Sequence, residues 1–230
     1  LVARRLFVAR QGDVWGTLSS YVLPTVFLGI GALNWSLWSG MEVAIFVATW
    51  AIAFLAFSSF EEALKAEPVE GTIFRRAWVL GLSGALMIVT RPEAVATIAL
   101  FGVFAVASPM RAGGRFRRLG LLVRIGLPGA ICLAAQSFAN RAFTGEWSAN
   151  GAIVKLAMNS PFLTREEKIA DYLFNFRYAA LRNLEYHFSD DSRFGWLLVF
   201  LAALPLFFSR TRRVALLLWL QIAFWLALVA

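Results

Sequence analysis

Long apolar runs, separated by short connections, constrain the fold of this chain more than any other feature of its sequence. The runs occupy residues 15–33, 41–60, 72–90, 92–108, 119–138, 194–208 and 214–230. A helix rises 1.5 Å per residue, so about 20 apolar residues cross the ~30 Å hydrocarbon core of a membrane. Several runs reach or approach that length, and 60% of the 230 residues are apolar. The sequence therefore predicts an all-α, polytopic transmembrane helical bundle of about seven spans.

The two ends of the sequence bear on its domain organisation. The chain opens on Leu1 rather than on Met, and it ends inside an apolar run at Ala230. We therefore expect residues 1–230 to be part of one transmembrane domain of a longer protein.

Basic residues are concentrated in alternate connections between the apolar runs. They are Arg4, Arg5, Arg10, Lys65, Arg75, Arg76, Arg111, Arg115, Arg117, Arg118, Arg210, Arg212 and Arg213. Cytoplasmic loops of membrane proteins carry an excess of Lys and Arg. The pattern predicts an integral membrane protein whose N-terminus is cytoplasmic and whose other connections are extracytoplasmic. Because these loops hold most of the positive charge, the net charge of +8 predicts topology and not a nucleic-acid partner.

A long extracytoplasmic loop is predicted at 139–193, with an amphipathic helix at about 165–188. Thr164 and Glu167 have the spacing of a capping box. Apolar residues then recur at helical spacing on one face: Ile169, Tyr172, Leu173, Phe176, Ala180 and Leu184. Such a helix lies either flat on the outer membrane interface or packed over the ends of the spans.

The sequence offers little for a metal or cofactor. Cys132 is the single cysteine and His187 the single histidine, which excludes a zinc site built from Cys and His. No phosphate loop, dinucleotide-binding fingerprint, nucleophile elbow or HExxH motif occurs. We expect neither a metal nor a cofactor.

Three polar landmarks fall on the predicted extracytoplasmic side: residues 39–42, residues 90–93, and "FTGEWSANGAIVKL" at 143–156. The first two read Ser/Thr-x-x-Glu before an apolar run, which is also the pattern of a capping box. Glu42 and Glu93 are therefore either helix caps or site residues. Arg91 is not needed for capping, and a cation at a helix N-terminus opposes the helix dipole. It either reaches the headgroups, pairs with Glu93, or lines a cavity as a functional residue.

Together the three landmarks resemble motifs of polytopic GT-C glycosyltransferases, similar to bacterial mannosyl- and arabinosyltransferases. Ser-Gly-Met-Glu lies at 39–42, and Arg-Pro-Glu lies at 91–93 with Ala94 where the family has Gly. The third motif keeps its spacing at Gly145, Glu146, Asn150 and Lys155, whereas Ala149 and Gly151 replace Pro and Thr. The resemblance covers residues 34 to 155.

The resemblance implies a glycosyltransferase of the bacterial inner membrane, with its active face extracytoplasmic. A sugar would move from a polyprenyl-phosphate donor to a glycan, lipid or protein acceptor. The substrate-binding residues would be Glu42, Arg91, Glu93, Asn150 and Lys155, with Arg91 and Lys155 facing the donor phosphate. The family's general base is an Asp in the first outer loop, which nothing in this chain matches. We expect that base upstream of Leu1, so this chain would be a partial segment without activity of its own.

A second hypothesis is a transporter or flippase for lipid-linked sugars. It needs the same cationic cavity but no general base, and it predicts polar residues near the middle of the membrane. Gln221 and Arg124 are the candidates for such residues. A third hypothesis, a membrane scaffold without activity, predicts polar landmarks on both faces, whereas the three landmarks share one.

Overall fold

The computed structural model describes residues 14–28, 43–66, 70–107, 115–147, 162–182, 192–209 and 211–229. These residues form helices and turns and contain no strand, which confirms the predicted all-α class. The helices are α1 (Val14–Leu28), α2 (Val43–Lys65), α3 (Glu70–Thr90), α4 (Val95–Val106), α5 (Arg115–Thr144), α6 (Arg165–Arg182), α7 (Ser192–Ala203) and α8 (Arg212–Val229), with short 3-10 helices at Pro92–Ala94 and Leu204–Phe207.

Three of these helices are long and apolar enough to cross a membrane: Val43–Leu64, Gly71–Thr90 and Phe116–Thr144. Each of the seven apolar runs contains a helix, but α4 and α7 have only 12 residues each. Twelve residues of helix measure about 18 Å, well short of the ~30 Å hydrocarbon core. Length and composition therefore establish three candidate spans among the described residues, fewer than the seven predicted.

Side-chain contacts give the relative directions of α2, α4 and α8. Near the start of α8, Arg213 pairs with Glu61 at the end of α2. Near the end of α8, the Trp225 ring contacts Phe46 at the start of α2 and donates to Thr97 at the start of α4. Helix α8 is therefore antiparallel to both α2 and α4.

Helices α3 and α5 run parallel to each other. Gly81 of α3 lies against the Arg124 and Ile125 carbonyls, and further along both helices Gln136 contacts the Ile88 carbonyl. The 3-10 helix Pro92–Ala94 joins α3 to α4. We call the end of the bundle that holds this connection the turn end. The opposite end, where Arg76 and Arg213 lie, is the arginine end.

The core lies between α2, α3, α4, α5 and α8. Its largest fully buried side chains include Phe54, Phe57 and Phe60 from α2 and Phe101 from α4. The Phe57 and Phe101 rings stack with centroids 5.0 Å apart. Phenylalanines placed three residues apart along α2 thus present one continuous face to the neighbouring helices.

Helices α3 and α5 approach closely because of a glycine opposite a proline. Pro128 has no N–H to donate to the Arg124 carbonyl one turn earlier. Gly81 lies against that carbonyl, and a Cβ on Gly81 would also lie 2.9 Å from the Ile125 carbonyl oxygen. These obstacles are backbone atoms, which cannot rotate away as a side chain can. Only glycine at position 81 allows this packing.

The arginine end is joined by polar contacts between helices. Arg213 Nε lies 2.8 Å from Glu61 Oε1, and its guanidinium also donates to the Phe104 carbonyl. Arg76 donates to the Ser59 carbonyl. Arg124 donates to the Gly120 carbonyl at 2.8 Å and lies over the Phe74 ring at 4.2 Å. Its head thus points back toward the arginine end, as the head of a snorkelling side chain does.

The predicted amphipathic helix is present as α6, and its capping box is confirmed. Thr164 N–H and Oγ1 both donate to Glu167 Oε2 at 2.8 Å, and Glu167 N–H donates to Thr164 Oγ1 at 3.3 Å. Tyr172 Oη donates to the Ala227 carbonyl at 2.8 Å. Because Ala227 belongs to the last turns of α8, helix α6 contacts the turn end of the bundle.

Candidate functional site

Arg91 lies at the connection between α3 and α4, and its backbone changes the direction of the chain. Its N–H donates to the Met87 carbonyl at 2.9 Å and its carbonyl accepts from Ala94 at 2.9 Å. Between these bonds its φ and ψ are −148° and 112°, an extended conformation. Proline disfavours the helical region for the preceding residue, so Pro92 accounts for this break. The side chain is half-buried.

Of the two alternatives for Thr90 and Glu93, the structure excludes the capping box. The Thr90 hydroxyl donates back to the Met87 carbonyl at 2.7 Å. Arg91, not Thr90, is the cap residue of the 3-10 helix, and no side chain caps it. Thr90 remains helical because α3 continues to it, so its hydroxyl satisfies a carbonyl of its own helix. Glu93 is exposed, and no ion pair joins it to Arg91, although both side chains are described.

Gln136 of α5 supports the Arg91 turn, and no local pattern in the sequence indicates it. The Ile88 carbonyl would normally accept from the N–H four residues later, but that residue is Pro92. Gln136 Nε2 supplies a donor instead, 3.3 Å from the Ile88 oxygen and 3.4 Å from the Val89 oxygen. A proline just after a helix indicates that a carbonyl of the last turn lacks its backbone N–H donor. The packing of α3 against α5 determines which distant side chain donates to that carbonyl instead.

Helix α5 extends past the Arg91 turn. Gln136 marks the level of the last carbonyls of α3, and α5 continues for eight residues, or about 12 Å, to Thr144. Gly145 then ends the helix with φ 79°, and its N–H donates to the Arg141 carbonyl at 3.1 Å. The predicted loop at 139–193 thus begins six residues later than expected. Arg91 is recessed below the end of the longest described helix.

The first residues of the third motif follow α5 directly at the turn end. Glu146 is exposed, and its N–H donates to Thr144 Oγ1 at 3.3 Å. The Trp147 ring lies 5.6 Å from the Phe138 ring, edge to face, with the Arg141 guanidinium 5.7 Å from its centroid. This tryptophan is 56% exposed. The exposed part of this indole therefore lies at the same end as Arg91.

The start of α2 also lies at the turn end. Phe46, one turn into α2, contacts Trp225 at 5.1 Å, and Trp225 Nε1 donates to Thr97 Oγ1 at 3.2 Å. Thr97 comes six residues after Arg91. Glu42 immediately precedes α2 in sequence, but it lies outside the described residues, as do Asn150 and Lys155. Of the five predicted substrate-binding residues, the structure therefore describes Arg91 and Glu93.

An apolar groove of about 200 Å³ opens beside the Arg91 turn, between α3, α4 and α5. Ile88 and Val95, which line it, flank the turn on either side. Gly129 lies against Ile88, and Gly102 and Gly126 line the groove further along. The groove therefore begins at the residues that flank the turn, and it continues toward the arginine end along apolar walls.

Both polar residues considered for a transport pathway make contacts within the protein. Gln221 is buried; its Oε1 accepts from Trp50 Nε1 at 2.9 Å, whereas its Nε2 has no hydrogen-bond partner among the described residues. Arg124 is held by the Gly120 carbonyl and the Phe74 ring. Among the described residues, no group of three or more His, Cys, Asp or Glu could hold a metal ion.

The chain matches no protein-family model, and no curated protein or solved structure shows significant similarity to it.

Proposed function

We propose that the chain is part of an integral membrane glycosyltransferase that takes a sugar from a polyprenyl-phosphate donor at its turn end. The observation that carries the proposal is Arg91: a half-buried cation at an extended break between two apolar helices, recessed below the end of α5. An ionisable residue at membrane depth faces a cavity or a partner and is a functional candidate. The acceptor would be a glycan, a lipid or a protein.

The chemistry of sugar transfer suits a fixed guanidinium at this position. As the bond between the sugar and the phosphate breaks, positive charge develops on the sugar and negative charge on the departing phosphate. A cation already in position stabilises the phosphate more strongly in a dry cavity than in water. The planar fork of Arg91 can hold two phosphate oxygens. Lys155, from the third motif, would contribute a second cation.

The carboxylates have separate roles in this proposal. Glu93 is exposed and makes no ion pair with Arg91, which leaves it available to bond the hydroxyls of a sugar or acceptor. Glu42 precedes α2, whose first turn lies at the same end through Phe46 and Trp225. The general base would come from outside this chain, so the proposed role here is donor binding.

The apolar groove beside Arg91 supports a lipid-borne donor. Its lining residues Ile88 and Val95 flank the turn, and its other lining is apolar. A hydrocarbon chain lying there would bring its phosphate next to the guanidinium. This arrangement gives a reason for the polar site to lie at one end of an apolar bundle.

The proposed topology has seven spans, with the arginine end cytoplasmic and the turn end extracytoplasmic in a bacterial inner membrane. The three long helices would cross fully. The shorter α4 and α7 would cross together with their adjoining 3-10 helices, which brings each to 15 or 16 residues. A recessed Arg91 turn fits a short α4, because the connection then lies below the membrane surface.

Discrimination among ligands tests this proposal. The affinity of the purified chain in detergent would be measured for polyprenyl-phosphate sugar, polyprenyl phosphate and uncharged polyprenol. We expect binding of both phosphate-containing lipids, with the sugar adding affinity, and at least about tenfold weaker binding of polyprenol, because a hydrogen bond to a charged group contributes about 1.5–3 kcal/mol. Equal binding of all three would contradict the proposal. Movement of intact donor across liposomes would instead favour the transporter.

A further inference from the structure

The arginine end has a large net positive charge. Its described residues, 61–66, 70–76, 115–124 and 211–213, contain nine Lys or Arg and three Asp or Glu, a net charge of +6. Most of the chain's net charge of +8 is therefore at this end.

The arginines at this end fall into two groups. Arg76, Arg124 and Arg213 are half-buried and bond to carbonyls or to Glu61. Arg75, Arg118 and Arg212 are exposed, and within the described part of the chain their side chains make no hydrogen bond, ion pair or ring contact. Because Arg75 and Arg212 directly precede Arg76 and Arg213 in the sequence, both groups lie at the same end. The second group is directed outward.

Each of these three exposed arginines is followed, four residues later, by an exposed apolar side chain. The pairs are Arg75 with Val79, Arg118 with Leu122, and Arg212 with Leu216, and the three apolar residues are 51%, 39% and 45% exposed. Residues four apart share one face of a helix. Helices α3, α5 and α8 all start at the arginine end, so in every pair the apolar member lies deeper along the bundle. The same arrangement thus occurs on three helices.

We propose that this face binds anionic phospholipids, with Arg75, Arg118 and Arg212 at the phosphate headgroups and Val79, Leu122 and Leu216 against the acyl chains. Basic residues beside a membrane span attract anionic lipid by about 1 kcal/mol each. A nucleic acid or soluble phosphate would contact the arginines alone and would leave Val79, Leu122 and Leu216 without a partner. This proposal requires membrane insertion but does not depend on sugar transfer.

The test uses the whole chain in phosphatidylcholine nanodiscs that contain a minor fraction of phosphatidylglycerol. Lipid retained after mild detergent extraction is measured by mass spectrometry for wild type, R75Q/R118Q and R165Q/R177Q. The control pair removes two exposed arginines from α6, at the opposite end. We expect wild type and R165Q/R177Q to retain phosphatidylglycerol in excess of its share. For R75Q/R118Q we expect an affinity lower by a factor on the order of 30 at low salt.

Two further measurements guard against trivial outcomes. R75K/R118K keeps the charges and should keep the enrichment, and added salt should remove the enrichment from wild type without unfolding it. The proposal would be overturned if R75Q/R118Q retained as much phosphatidylglycerol as wild type. It would also be overturned if R75Q/R118Q and R165Q/R177Q lost equal amounts. If inorganic phosphate at matched ionic strength abolished the retention of phosphatidylglycerol, this face would be a simple anion site. If duplex DNA bound more tightly than phosphatidylglycerol, it would be a nucleic-acid surface. Either result would also overturn it.

Discussion

At the scale of single residues, the Arg91 turn depends on a side chain from another helix. Gln136 donates to the Ile88 and Val89 carbonyls. Pro92, four residues after Ile88, has no N–H to donate to the Ile88 carbonyl. Gln136→Leu leaves a carbonyl unsatisfied and should lower the free energy of unfolding by about 1–3 kcal/mol. Thermal unfolding in detergent measures this. Asn140→Leu, one turn further along α5, is the matched control, and equal effects of the two changes would argue against a supporting role for Gln136.

The capping box of α6 gives a pH dependence with a defined sign. The backbone N–H of Thr164, and then its hydroxyl, hold the pKa of the Glu167 carboxyl below its ordinary value. The stabilising contribution is therefore complete above the pKa of the unfolded chain, and it is lost as pH falls through the lower, folded pKa.

Amide hydrogen exchange of residues 164–168 tests this dependence. At neutral pH we expect stronger protection in wild type than in Glu167→Gln, because the glutamine removes the charged acceptor. At pH values below the folded pKa the two proteins should exchange alike. A difference that persists in acid would show that the carboxylate charge is not the cause.

The sequence indicated some of the site residues and not others, for a physical reason. Local signals were sufficient for the α6 capping box, because both partners lie within four residues of each other. They left the role of Thr90 and Glu93 open, since a Thr-x-x-Glu pattern does not reveal that the preceding helix continues through the threonine. Gln136, Thr97 and Trp225 were missed because their partners are 47 to 128 residues away in sequence.

At the scale of helices, α3 and α5 pack closely against each other at Gly81. A Cβ there would overlap backbone carbonyls, so Gly81→Ala should lower the free energy of unfolding by about 1–3 kcal/mol. Gly126→Ala is the matched control, because a Cβ at Gly126 has no atom within 4 Å. Since alanine has the higher helix propensity, that change should be neutral or stabilising. Similar losses for both variants in thermal unfolding would contradict the proposed packing.

Helix positions followed closely from the sequence, whereas helix lengths did not. Each apolar run contains a helix because a segment without water must satisfy its backbone internally. Helix α5 nevertheless continues through Asn140 and Arg141, since a helix can extend past the apolar region that defines a span. Gly145, not the end of hydrophobicity, terminates it.

At the scale of the whole molecule, the two ends differ in charge, and the proposed topology assigns them to opposite sides of the membrane. Single cysteines in a Cys132→Ala background test this assignment. Ser209→Cys lies at the arginine end, and Glu166→Cys lies on α6 at the turn end; both positions are exposed. An impermeant thiol reagent added outside cells should label position 166 and should reach position 209 only after permeabilisation. Labelling of both positions from outside would reject the topology.

The central claim is that Arg91 recognises the phosphate of a lipid-borne sugar, and affinity measured with matched arginine variants tests it most directly. Polyprenyl-phosphate sugar would be titrated into wild type, Arg91→Ala, Arg91→Lys and Arg165→Ala, with thermal unfolding as the check on folding. We predict at least about tenfold weaker binding for Arg91→Ala, partial recovery with lysine, and no change for Arg165→Ala. Unchanged affinity in a folded Arg91→Ala protein would contradict the claim and leave Arg91 as an interfacial anchor.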